Sequence, residues 1–139
     1  MKAAVAMLTL MLLTACQSEP PPLVTVNDAR VIALPTSAAA YFTLANSGGR
    51  DRLMSVEAPD VGQASLHETS MADGIMRMRD LSQGIEVPAG ATVLLSPSGK
   101  HVMIQGLARP LSQGSSIRLN LTFERQGSVV VNAPVGSPR

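Results

Sequence analysis

The 139-residue chain has one cysteine, two histidines, one tyrosine, two phenylalanines and no tryptophan. A single thiol, Cys16, excludes a disulfide within the chain. It also excludes a blue-copper electron-transfer centre, whose thiolate ligand must lie inside the folded domain between two histidines. With so few aromatics, the core has to rest on Val, Leu, Ile, Ala and a few methionines. Neither sign of charge dominates, with 11 basic against 10 acidic residues, so nothing favours capture of nucleic acid. No Gly-x-Ser-x-Gly occurs and neither histidine sits in a hydrolase signature, so the chain does not read as an enzyme. No apolar run reaches the ~20 residues of a membrane-spanning helix.

What is present begins with processing. Lys2, the apolar stretch from Ala3 to Leu13 and the small residues before Cys16 have the layout of an export signal over residues 1–15. Leu13-Thr14-Ala15-Cys16 resembles the bacterial lipobox, which implies acylation of Cys16 and a lipid anchor on the periplasmic side of a bacterial membrane. Gln17 after the cysteine favours the outer membrane where the cell has one. Residues 16–22, CQSEPPP, then read as a lipidated cysteine and a stiff proline-rich tether. Residues 23–139 suit one domain with one core.

Periodicity in that domain is of strand type. Ile117, Leu119, Leu121 and Phe123 alternate with Arg118, Asn120, Thr122 and Glu124, the period-two pattern of a strand with one buried face. Further strands are expected at Leu23–Val26, Ala29–Leu34, Ala39–Asn46, Arg52–Ala58, Gln63–Glu68, Ile75–Arg79, Ile85–Val87, Thr92–Leu95, His101–Gly106 and Ser128–Ala133. Turn residues separate them, notably Asn46-Ser47-Gly48-Gly49, Asp73-Gly74 and Pro88-Ala89-Gly90. Many short strands at this spacing predict an all-β sandwich.

The chemistry gathers around the two histidines, His67 and His101. Beyond the signal the methionines are Met54, Met71, Met76, Met78 and Met103, and four of these five lie in the histidine segments. His101 and Met103 are two apart, so on a strand they share a face while Val102 points into the core. His67 turns outward with Ser65, opposite Ala64 and Leu66, and Met76 and Met78 share a face of their own strand. Thioether sulfur is a soft, uncharged donor suited to copper(I), and imidazole accompanies it well, whereas zinc, calcium and magnesium prefer thiolates or carboxylates. Met71 and Met76 read as packing or supporting residues, and Met54, with Val56 and Ala58, as core. Spacing alone does not fix strand register. Solvated or hydrogen-bonded histidines, each on its own, with methionines filling gaps in the core therefore stand as the alternative at this point.

At these residues the sequence resembles the periplasmic copper A chaperone family, PCu(A)C. The block HETSMADGIMRMRDLSQGIEVPAGATVLLSPSGKHVMIQGL, from His67 to Leu107, carries the family pattern: histidine, ten residues, methionine, some twenty more, then histidine, any residue, methionine. It falls on His67, Met78, His101 and Met103. The resemblance implies a cupredoxin-like (immunoglobulin-like) β-sandwich with an exposed site for one copper(I). It implies delivery of the ion to a thiol-bearing copper acceptor or to the copper A subunit of cytochrome c oxidase. The tail from Gly127 to Arg139 lacks the histidines and methionines of some members. The competing readings are an envelope lipoprotein with an immunoglobulin-like interaction domain, and a copper buffer without onward delivery.

Overall fold

A computed structural model describes residues 17–137; the signal segment, Cys16 and the last two residues lie outside the described residues. The described chain is all-β, with ten strands: β1 Val24–Ala33, β2 Ser37–Asn46, β3 Asp51–Glu57, β4 Gln63–Ala72, β5 Ile75–Asp80, β6 Ile85–Val87, β7 Thr92–Leu94, β8 Lys100–Gln105, β9 Ser116–Phe123 and β10 Gly127–Gly136. One layer runs β5-β4-β8-β2-β1, with β7 beside the far end of β2, and the other runs β10-β9-β3-β6. A parallel pairing of β1 with β10 joins the two layers.

The period-two pattern explains how the layers close. Ile117, Leu119, Leu121 and Phe123 of β9 are buried, and they meet Val31, Ala38, Ala40, Phe42, Leu66, Val102 and Ile104 of the other layer in one continuous core. At about 25 cal/mol per Å² of apolar surface, this burial is the main force holding the sheets together. Among the described residues no methionine belongs to that core. The expectation of Met54 as core is therefore corrected: it is 41% exposed. A β-bulge shifts the pairing of β3 with β9 between Leu53 and Ser55, so Leu53 and Val56 face inward and Met54 faces out.

A second irregularity accounts for the two strand segments read at 23–34. They are one strand, β1, whose pairing with β2 shifts between Asn27 and Arg30, where Asp28 adopts φ 53°. At the other end of β2, buried Asn46 accepts hydrogen bonds from the backbone N–H of Leu23 and Gly48 and donates to the carbonyls of Gly49, Val87 and Pro88. Gly48 and Gly49 let residues 20–22 lie close by, since a Cβ on either glycine would collide with backbone atoms of that segment. Glu19 accepts from the Arg50 backbone N–H and side-chain Nε, both at 2.8 Å. The proline-rich segment is thus held against the sandwich from Glu19 onward.

Candidate metal centre

The β4–β5 hairpin and strand β8 build the site. Asp73 and Gly74, at φ 52° and 75°, form a two-residue turn with both central residues left-handed, the geometry that matches strand twist. That turn fixes the register His67↔Asp80, Thr69↔Met78 and Met71↔Met76. On its other side β4 pairs with β8 in the register His67↔His101 and Ser65↔Met103. Paired residues of a sheet share a face. His67, His101, Met103, Met78 and Asp80 therefore all project from the outer surface of the layer, while Leu66 and Val102 point into the core.

The two histidines are direct cross-strand neighbours, their ring centroids 6.0 Å apart and nearly parallel. They belong to a row crossing five strands. Arg30 stands over the Tyr41 ring at 5.3 Å, Tyr41 lies 6.4 Å from the His101 ring, and Asp80 closes the row at 3.1 Å from His67 Nε2. Burial pushes the Tyr41 hydroxyl above its ordinary pKa, with Arg30 opposing the shift.

Each imidazole is oriented by a different nitrogen. His101, only 3% exposed, directs Nδ1 at the Gly99 carbonyl at 3.0 Å. A neutral ring donating there keeps its lone pair on Nε2. His67 places Nε2 against Ser65 Oγ at 2.8 Å and against Asp80, while its Nδ1 is buried with no hydrogen-bond partner. With the proton on Nε2 facing the carboxylate, that orphaned Nδ1 holds a lone pair. A buried imidazole nitrogen without a partner is costly unless something else meets it. A carboxylate or carbonyl on the opposite nitrogen is the usual support of a metal-bound histidine.

The two expected thioethers flank this pair on opposite sides. Met103 is the next outward residue on β8, but Met78 sits on edge strand β5, two strands across from Met103 and four residues along. Standard spacings put their Cα atoms about 16 Å apart on a flat sheet. Each is nevertheless a diagonal neighbour of His67, Met103 across β8 and Met78 across β5, and Met78 is 52% exposed. Met71 and Met76, read from the sequence as packing or supporting residues, are 66% and 68% exposed. They pack against no core because the hairpin runs past the end of β8. Among the described residues no three histidine, cysteine, aspartate or glutamate side chains cluster as a metal site.

Sequence reasoning missed Asp80 as the partner of His67; its position two residues past Met78 was the available signal, once β5 is taken to pair with β4. It also missed the clasp on the hairpin's other face. Glu68, half a turn of the pleat from His67, accepts from Arg79 Nε at 2.9 Å and Lys100 Nζ at 3.0 Å. Those two cations, Arg79 foremost, hold its carboxyl below the ordinary range.

Residues 24–135 match the profile of a family described as "Putative lipoprotein LpqE-like". A curated protein named "Putative lipoprotein Lxx21020", from Leifsonia xyli subsp. xyli, is 33% identical over 98 residues, 70% of this chain. The chain spans 59% of that relative's length. Among solved structures, the apo DR1885 protein of Deinococcus radiodurans is 28% identical with a TM-score of 0.63, over 99% of this chain and 96% of that one. Its copper(I) form is 29% identical with a TM-score of 0.67, over 82% and 78%. The copper-bound PCuAC domain of PmoF2 is 25% identical with a TM-score of 0.67, over 83% and 93%.

Proposed function

The chain belongs to the LpqE-like family and its domain is of the PCuAC type; from this, and from its paired imidazoles, we propose that it is an extracytoplasmic copper(I) chaperone. It binds one ion through His67, His101, Met103 and Met78 and passes it to a thiol-bearing acceptor during assembly of the copper A centre of cytochrome c oxidase. The observation that carries this reading is the His67↔His101 register. It sets two oriented rings side by side, one with a buried nitrogen that no protein group meets. Copper(I)-bound DR1885 and copper-bound PmoF2 share the fold and support the choice of metal.

The donor set also accounts for transfer. Imidazole and thioether carry no charge, so an acceptor offering anionic thiolates binds copper(I) more tightly and the ion moves downhill. Gly99 and Ser98 border His101 with little side-chain bulk, which leaves room for an incoming cysteine. Acylation at Cys16 holds the protein at the periplasmic face of a membrane, the outer one where present. Cys16→Ser should then release it from the membrane fraction without altering copper binding.

Titrating the purified chain with copper(I) against a competing chelator tests the reading. One ion per chain is expected. His101→Ala should lower affinity by at least about the 10–100-fold typical of losing even a supporting residue, while Met54→Leu leaves it unchanged. A stoichiometry of zero would sink the proposal. Retention of the ion for hours against an excess of reduced dicysteine acceptor would make the protein a store.

A further inference from the structure

The outward face of the β4–β5 hairpin carries two thioethers, Met71 and Met76, that the four-donor site does not use. Its positions are His67, Thr69 and Met71 on one strand and Met76, Met78 and Asp80 on the other. The inward positions are Glu68, Ser70, Ala72, Ile75, Arg77 and Arg79. Every methionine of the hairpin thus falls on the side that bears the histidines. Met71 and Met76 are direct cross-strand partners, so their Cβ atoms stand about 5 Å apart. Met78 is the next residue along the same face of β5. All three side chains are more than half exposed, so their sulfurs are free to move. Unbranched, with three rotatable bonds, three such side chains can bring their sulfurs to one point.

We propose that Met71, Met76 and Met78 form a second, outer station for a soft monovalent metal ion. Met78 is shared between this station and the histidine pair. The role in transfer rests on the copper reading above, but the binding itself does not. Three neutral thioethers suit copper(I) or silver(I) and discriminate against hard divalent cations. Lacking imidazole, the station binds more weakly than the inner site, as an entry or exit point should. It also gives Met78 a place its register explains. Next to Met76 and remote from Met103, Met78 can release the outer ion toward His67 by moving one side chain at the hairpin's open end.

Silver(I), which does not change oxidation state under these conditions, serves as the probe on the full chain in detergent, with every methionine methyl carbon labelled for NMR. In the unaltered protein the first equivalent should move Met103, and further silver should move Met71 and Met76 together, leaving Met54 still. In M71L/M76L, whose exposed positions tolerate the change, the first event should persist and the second should vanish. In H67A/H101A, Met71, Met76 and Met78 should still respond together. If Met71 and Met76 stay unmoved in the unaltered protein up to about 1 mM silver, the limit of weak specific binding, the outer station does not exist and the methionine face is a plain apolar surface. Movement of Met71 and Met76 without Met103 would keep the outer station and defeat the four-donor site instead.

Discussion

Glu68→Gln tests how the hairpin is held in place. The carboxylate bonds Arg79 on β5 and Lys100 on β8, so it clasps the edge strand, β4 and β8 across one row. Both cations are substantially exposed, which limits each pair to roughly 0.2–1 kcal/mol. Glutamine keeps one acceptor oxygen and loses the charge, so the total cost should be about 1 kcal/mol, or roughly fivefold in a local opening equilibrium. Among the described residues strand β5 has only β4 as a hydrogen-bonded neighbour, so that opening is expected to be local. Amide hydrogen exchange is the assay. Protection on β5 should fall about fivefold while β9, in the core, keeps its own. Copper(I) affinity should fall by no more than the same factor, because of the four proposed donors only Met78 rides on the loosened strand, together with Asp80, the partner of His67. Equal loss of protection on β9 would show that the clasp supports the whole fold, and unchanged β5 exchange would show that it supports nothing.

At the opposite end, Asn46→Asp replaces an amide that donates to three carbonyls with a carboxylate that can donate to none. At about 1 kcal/mol for each lost bond, plus repulsion from the orphaned oxygens, destabilisation of roughly 3 kcal/mol should appear in thermal unfolding; a loss under 0.5 kcal/mol would refute the role assigned to Nδ2. Hydrogen bonds from Arg50, first its side chain and then its backbone, hold the Glu19 carboxyl below the ordinary value of 4.5. A depressed folded pKa means the docking of residues 19–21 is fully favoured above that value and fades as pH falls through the lower one. An NMR titration of the Arg50 amide should therefore show its midpoint below 4.5, and a midpoint at or above it would contradict the pairing.

Much of the fold was legible because its strands have one wet face. Alternation in Ile117–Phe123 gave the direction of every side chain in β9, and the Asp73-Gly74 pair marked the hairpin that positions the site. Local pattern failed where register broke. Nothing in the residues Leu53-Met54-Ser55 announces the bulge that turns Met54 outward, and Asp28 interrupts β1 through backbone geometry that an aspartate permits but does not demand. A simple alternation rule carries a one-residue error past each such point, which moves every later side chain to the wrong face.

The placement of the candidate donors in the sheet was legible for a different reason and to a different depth. His101 and Met103 reveal their common face by being two residues apart, a relation within one strand. The His67↔His101 pairing is a relation between strands, its two residues separated by 33 intervening residues, and spacing alone cannot distinguish it from a register shifted by two. What fixes it is collective: the tight turn sets β4 against β5, and burial of Leu66 opposite Val102 sets β4 against β8. The same two constraints put Met78 beside Thr69 and away from Met103. A linear motif lists four donors as equals, but the sheet ranks them. Two histidines and Met103 belong to the packed body of the layer, whereas Met78 belongs to an edge held by one neighbour strand and one acidic clasp. In the proposed site the last donor, Met78, sits on an edge strand, so its release would leave the packed body of the layer in place, which is what exchange of an ion with a partner would require.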